Sequence, residues 1–119
     1  MKDTSILINN KIDYQKGIEL LGDIETYDEM LEDFLDGVQD KLDKLKKYKE
    51  NNDTENYAIE AHSLKSDSKY FGFNDLAEIS LSHEMAGKEN NTGYINDNFN
   101  DLITELNRII TVITEYINS

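Results

Sequence analysis

The sequence of 119 residues contains no cysteine, no proline and no tryptophan, and only six glycines. Without cysteine the chain has no disulfide framework, no thiol nucleophile and no zinc–thiolate site. Without proline it has no proline-rich linker, and little in the chain interrupts helices. The composition therefore favours a helical domain whose chemistry depends on side chains other than thiols.

Positive charge is also scarce, since twelve Lys and Arg residues stand against twenty-five Asp and Glu residues, giving a net charge of −13. A field of that sign repels phosphate backbones and anionic lipids, so we expect no nucleic-acid binding and no membrane-surface binding. No apolar run approaches the roughly 18 residues of a membrane span, and residues 6–8 are too short for a signal-peptide core. We therefore expect a cytoplasmic protein, or a cytoplasmic piece of a larger one, without membrane insertion.

Apolar residues recur at intervals of three or four through most of the chain, which is the period of amphipathic helices. A short helix is predicted over residues 13–22, and Thr26 with Glu29 has the capping-box spacing that begins the next helix. Further helices are predicted over residues 54–71, with Asp53 or Thr54 as the cap, and over residues 74–88. The clearest pattern belongs to the last helix and comprises Ile95, Phe99, Leu102, Leu106, Ile109, Ile113 and Tyr116.

Short loops between these helices make sequence neighbours antiparallel. We therefore predict an all-α fold, an up-and-down antiparallel four-helix bundle with a short extra N-terminal helix. Gly72 lies where a left-handed cap ends the helix of residues 54–71, and Asn74 is expected to cap the next helix. Residues 1–11 are predicted to form a loosely attached N-terminal arm, and residues 12–119 the bundle domain.

The chain has two histidines, and helical geometry predicts opposite surroundings for them. A rotation of about 100° per residue places His62 roughly 140° from the core-facing stripe of its helix, on the outer face. His83 instead falls on the apolar stripe of the following helix, with Leu76 and Ile79. We expect His83 to be a hydrogen-bonded core residue, with Glu84 or a backbone carbonyl as its partner, and a metal site shared with His62 is unsupported.

Small and basic side chains surround His62 along its helix. Ala58 and Ser66, four residues to either side, leave open space around the imidazole, while Lys65 and Lys69 project to the same side. A neutral imidazole is a competent nucleophile, and ammonium groups compensate the charge of an added phosphoryl group. The arrangement suits a histidine that accepts a phosphoryl group from a partner protein. The alternative is an ordinary exposed histidine on a solvated, charged face.

Other kinds of chemistry lack the residues that they need. The acidic residues are spread over helix surfaces without a marked acid/base pair, and Asp101 occupies the position where a calcium loop needs glycine. Ser63 and Ser66 share the helix of His62 without an orienting acid. No GxGxxG or Walker sequence is present. We therefore expect no metal site and no ATP site.

Three segments together resemble the signature of the histidine-containing phosphotransfer (HPt) domain family: AHSLKS at residues 61–66, YFG at 70–72 and LA at 76–77. The family pattern has a histidine followed by a leucine and a lysine, a glycine ten residues after the histidine, and a leucine four residues further. The resemblance extends over residues 12–117. Ser66 departs from it, because the family has glycine there, but serine is small enough to keep the histidine accessible.

The resemblance implies a phosphorelay intermediate of two-component signalling, with His62 as the phosphoacceptor. His62 would take a phosphoryl group from the aspartate of a response-regulator receiver domain and pass it to another receiver. Lys65, Lys69 and Ser66 would support the phosphate, Ala58 would keep access open, and Gly72 would end the helix.

The resemblance also implies a phosphocarrier without its own ATP site, not an enzyme. No cofactor is expected on this chain, because Mg²⁺ would bind the receiver. The expected partners are receiver domains and a hybrid sensor histidine kinase.

Two alternatives stay open. Within the same fold, the chain could serve as the phosphoacceptor domain of a chemotaxis-type histidine kinase, supplied by a separate ATP-binding domain. Outside it, the chain would be a non-catalytic helical-bundle adaptor whose histidine is incidental. An adaptor gives no reason for the clearance beside Ala58 and Ser66 or for the two lysines near His62.

Overall fold

The computed structural model describes residues 2–119, and these form six helices joined by short connections. The last four helices pack against one another in sequence order, and the sixth closes the ring against the third. The molecule measures 44 × 22 × 22 Å, and its long axis matches a helix of 26–27 residues, about 40 Å at 1.5 Å per residue. The predicted all-α bundle with a short N-terminal helix is confirmed. The helices are α1 (Ser5–Asn9), α2 (Tyr14–Leu21), α3 (Ile24–Glu50), α4 (Thr54–Phe71), α5 (Asn74–Lys88) and α6 (Thr92–Ile117).

The core lies between the four long helices. All seven apolar positions of the predicted seam in α6 are buried. Tyr27 of α3 is fully buried, and its hydroxyl donates to the carbonyl oxygen of Phe71 at 2.7 Å, which ties α3 to the end of α4. Because the apolar residues are periodic rather than continuous, no helix within residues 2–119 is long and apolar enough to cross a bilayer.

Two predicted helix starts are wrong by one or more residues. Helix α3 begins before Thr26, because Asp23 is the N-cap and its Oδ1 accepts the backbone N–H of Thr26 at 2.8 Å. The aspartate side chain accepts a hydrogen bond from a backbone N–H that has no partner within the helix, as the serine or threonine of a capping box would. Asn74 is the first residue of α5 rather than its cap, since Phe73 occupies the cap position with its ring buried in the core.

The N-terminal segment is not a loosely attached arm, so that expectation is wrong. Residues 5–9 form α1, which packs against α6. Leu7 is fully buried and Ile12 is 3% exposed, so both side chains extend the hydrophobic core. Arg108 of α6 also donates from Nη1 to the carbonyl oxygen of Asn10 at 2.8 Å. The domain boundary at residue 12 stays a prediction.

Gly72 ends α4 in the left-handed conformation, with φ of +82°, as the sequence predicts. Its carbonyl oxygen accepts the backbone N–H of Asp13 at 3.0 Å. A Cβ atom at position 72 would lie 2.0 Å from the carbonyl oxygen of Asp13. The glycine therefore allows the end of α4 to contact the segment that begins α2.

Replacing Gly72 with alanine should destabilise the protein, because the left-handed conformation alone costs about 1–2 kcal/mol and the new Cβ adds a clash. Gly37→Ala is the matched control. Gly37 is exposed within α3 and a Cβ there meets nothing within 4 Å, so the substitution should stabilise the helix by about 0.5–1 kcal/mol. Urea denaturation of both variants measures the difference, and equal shifts in the free energy of unfolding would contradict it.

Candidate functional site

His62 lies near the middle of α4, on the side that faces away from the buried residues of that helix. Ala61 and Leu64 are fully buried, whereas the His62 side chain is 57% exposed. The outward position predicted from helical geometry is therefore observed. The imidazole is not isolated, however, because a residue of the neighbouring helix α5 contacts it.

Glu84 of α5 is that residue, and it joins three basic side chains across the α4–α5 interface. Its Oε2 atom lies 3.0 Å from Nδ1 of His62 and 2.8 Å from Nζ of Lys88. Its Oε1 atom lies 2.7 Å from Nζ of Lys65. The Glu84 side chain is only 3% exposed, so these contacts replace its hydration. We call these four residues the Glu84 cluster.

The charge of Glu84 decides which nitrogen of His62 carries a proton. Burial by itself raises the pKa of Glu84, but the contacts with Lys65, Lys88 and His62 outweigh it and lower this pKa to about 2. At neutral pH Glu84 is therefore a carboxylate that only accepts hydrogen bonds. Nδ1 of His62 must be the donor in the contact with Oε2. In the neutral ring, Nε2 is left with a free lone pair.

Two small residues bring α4 and α5 close enough for this contact. A Cβ atom on Gly87 would lie 2.9 Å from Cβ of Ala58 and 2.9 Å from the carbonyl oxygen of Thr54. Gly87 lies one turn after Glu84, and Ala58 lies one turn before His62. Ala58 is 5% exposed, so its small size serves the packing of α5 as well as the access to His62 predicted from the sequence.

An open groove of about 560 Å³ runs beside His62 between α4 and the end of α5. Ile59 forms part of its apolar surface and is 61% exposed. His62, Glu84 and Lys88 supply polar groups to the same groove. The full lining consists of Glu55, Ala58, Ile59, His62, Glu84, Gly87, Lys88 and Asn90.

The other residues predicted for the site take different positions. Lys65 reaches the neighbourhood of His62, but it is 14% exposed and its ammonium group is paired with Glu84. Ser66 is half-buried, and Lys69 is exposed two turns along α4, without an ion pair in the described part of the chain. Gly72 lies at the end of α4, distant from the imidazole. The structure thus brings Lys65 to His62 through Glu84 and does not bring Lys69 into the cluster.

Glu84 and Lys88 are the members of the site that the sequence did not single out. They are four residues apart, which is the spacing of an ion pair on one helix face. This spacing was the one feature of the sequence that pointed to Glu84 and Lys88. It was not enough to predict a site, because charged pairs of this kind are common in a chain with 31% charged residues. The contact with α4 distinguishes this pair from the others.

His83 is buried, as predicted, and its side chain is hydrogen-bonded to Tyr57 rather than to Glu84. Its Nδ1 lies 2.8 Å from the hydroxyl of Tyr57, and the ring is 1% exposed. Burial lowers the pKa of His83. The two histidines belong to separate sites, and within residues 2–119 no group of three or more His, Asp or Glu side chains could hold a metal ion.

Glu84 should make the protein sensitive to acid. Because its pKa in the folded protein lies below the ordinary 4.5 at about 2, its stabilising contribution is present above pH 4.5 and is lost as the pH falls toward 2. Over that range the wild type should lose on the order of 3 kcal/mol more free energy of unfolding than Glu84→Gln. Urea denaturation at each pH measures this loss. Glu78→Gln, at an exposed position of the same helix, is the control, and identical pH dependence of wild type and Glu84→Gln would contradict the assignment.

Comparison with known proteins supports the resemblance noted in the sequence. The family model of the Hpt domain matches residues 29–111, which is more than half of the chain and includes the whole Glu84 cluster. No curated protein and no solved structure gives a match. The histidine-containing helix and its place in an all-α bundle agree with that family. The chain therefore belongs to the Hpt domain family.

Proposed function

We propose that this Hpt domain is a phosphorelay intermediate of two-component signalling and that Nε2 of His62 is its phosphoacceptor atom. Membership of the family supports histidine phosphotransfer in general. The observation that carries the assignment to His62 is its contact with Glu84 at 3.0 Å, which fixes one ring nitrogen as a donor. The other nitrogen belongs to a side chain that is 57% exposed and lines the groove.

The proposed reaction needs no general base on this chain. The lone pair of Nε2 attacks the phosphorus of a phosphorylated receiver aspartate, the N–P bond forms, and the P–O bond breaks. The aspartate leaves as a carboxylate with the electron pair of that bond. Nδ1 keeps its proton throughout, so the ring becomes cationic as the bond forms, and the buried carboxylate of Glu84 stabilises this developing charge. Transfer to a second receiver is the reverse of the same step.

In this proposal the chain has no ATP site and no cofactor of its own. Mg²⁺ bound in the acidic pocket of the receiver would neutralise the transferring phosphoryl group. This division of labour makes the chain a phosphocarrier rather than an enzyme. A cytoplasmic location, as expected from the sequence, is part of the proposal.

Exposed apolar side chains on α4 and α5 support a protein partner at this face. Ile59 lies one turn before His62 and is 61% exposed. Leu81, one turn before Glu84, and Met85, next to Glu84, are 42% and 47% exposed. Apolar side chains gathered around a reactive group are typical of a docking surface. We propose that a receiver domain docks here and brings its aspartate to His62.

Incubation with a receiver domain phosphorylated on aspartate should label the wild-type protein with an acid-labile phosphoryl group. His62→Gln should abolish the label, because glutamine has no nucleophilic ring nitrogen. His83→Gln should keep the label and lower the midpoint of thermal unfolding, since the buried contact with Tyr57 is weakened. Labelling that persists in His62→Gln would contradict the assignment. Labelling by a chemotaxis-type kinase with ATP, and not by any phosphorylated receiver, would favour the other HPt role.

Removing the hydrogen-bond acceptor of His62 should slow phosphorylation. Glu84→Ala leaves Nδ1 without its partner, and the loss of one charged hydrogen bond corresponds to a rate lower by roughly tenfold. Glu84→Gln keeps a carbonyl oxygen that can accept a hydrogen bond from Nδ1. Its phosphorylation rate should therefore lie between those of the wild type and Glu84→Ala. ³¹P NMR with phosphoramidate as the phosphoryl donor measures these rates without a partner protein. Glu78→Ala is the control, and a wild-type rate in Glu84→Ala would remove Glu84 from the mechanism.

A further inference from the structure

Lys65 and Lys88 contact different oxygens of Glu84. Breaking one contact would leave its oxygen without a partner, whereas breaking the other would not. Oε1 is paired with Nζ of Lys65 at 2.7 Å and contacts no second cation among the described residues. If Lys65 moved away, a buried, charged oxygen would lose its cation, which is costly in a site that excludes water. Oε2 is shared by Lys88 and His62. If Lys88 moved away, Oε2 would keep the hydrogen bond from Nδ1.

The two lysine side chains also differ in solvent exposure, and therefore in how easily they can move. The side chain of Lys65 is 14% exposed, whereas that of Lys88 is 60% exposed. Lys88 is the last residue of α5, where a long side chain can change rotamer without disturbing the helix. Moving an exposed ammonium group costs less than moving one that is packed against a buried carboxylate.

Unlike Lys65, Lys88 shares an oxygen of Glu84 with His62 and lines the groove beside the imidazole. Its Nζ and Nδ1 of His62 meet at the same oxygen atom, at 2.8 and 3.0 Å. The groove beside the imidazole is lined by Lys88, and neither Lys65 nor Lys69 is among its lining residues. The other charged side chains of the lining, Glu55 and Glu84, are acidic. A phosphoryl group in this groove therefore meets two carboxylates and one ammonium group.

We propose that Lys88, and not Lys65, is the lysine that contacts the phosphoryl group on His62, and that Lys65 is a positioning residue that holds Glu84. The inference rests on the proposed role of His62. When Nε2 is phosphorylated, Nζ of Lys88 leaves Oε2 and pairs with the phosphoryl oxygens, while Lys65 and Nδ1 of His62 keep the carboxylate paired. The family pattern would assign the phosphate contact to Lys65, so the proposal reverses the expectation drawn from the sequence.

The test is a pH titration of the phosphorylated protein followed by ³¹P NMR, with phosphoramidate as the donor. A nearby ammonium group disfavours protonation of the phosphorylated side chain, at the phosphoryl oxygens and at the ring alike, so its removal raises the pH midpoint of the ³¹P chemical shift. We expect Lys88→Met to raise this midpoint by about half a unit and Lys88→Arg to restore it. Lys65→Met should leave the midpoint close to that of the wild type and slow phosphorylation, because Glu84 is less well held. Lys46→Met, at an exposed position on α3, controls for the loss of one positive charge.

Each outcome separates this inference from the proposed function. If phosphoramidate modifies no ring nitrogen of His62, the proposed function fails and the inference fails with it. If His62 is phosphorylated but Lys88→Met matches Lys46→Met, or Lys65→Met gives the larger shift, Lys88 is not the phosphate contact and only the inference is overturned. Lys88 is exposed, so its variants should fold, and the comparison of Lys88→Met with Lys46→Met decides the result even where Lys65→Met is unstable.

Discussion

A carboxylate with 3% exposure stays ionised in a protein only where positive groups replace the water that it has lost. In this bundle that requirement falls on Glu84, and three side chains from two helices meet it. The dependence is mutual. The cationic groups and the imidazole stabilise the carboxylate of Glu84, and this carboxylate in turn orients the ring of His62 through Nδ1. One buried charge therefore connects the packing of α4 on α5 with the chemistry of an exposed imidazole.

The cluster depends on how closely α4 and α5 approach each other. Gly87 and Ala58 remove side-chain volume from the interface, and the carboxylate of Glu84 then lies within hydrogen-bond reach of His62. The neighbouring residue His83 is rotated by about 100° around α5. Its Nδ1 lies 2.8 Å from the hydroxyl of Tyr57 on α4, and its ring lies 5.5 Å from that of Tyr94 on α6. Glu84 thus faces the exposed imidazole of His62, whereas His83 is buried between α4 and α6.

The periodic spacing of apolar residues was enough to predict the fold from the sequence. Most of the site could not be predicted, because it depends on which helices pack together. The seam of α6 and the left-handed cap at Gly72 follow from local rules that need no knowledge of the tertiary structure. His62 could be placed on an outer face for the same reason. Glu84 could not be identified, because its role depends on the α4–α5 approach and on the burial that follows. Lys65 could be placed near His62 from the sequence, but its ion pair with Glu84 could not be predicted. The attachment of α1 was missed because its buried residues are too few to form a periodic pattern.

The most direct test of the account is the protonation state of the His62 ring in the unmodified protein. Long-range ¹H–¹⁵N NMR of the two histidines distinguishes a protonated ring nitrogen from one with a free lone pair. We expect neutral His62 to carry its proton on Nδ1 and to present an unprotonated Nε2, and we expect Glu84→Ala to lose this preference. A proton on Nε2 of neutral His62 in the wild-type protein would contradict the account, because the proposed nucleophile would then have no lone pair to offer.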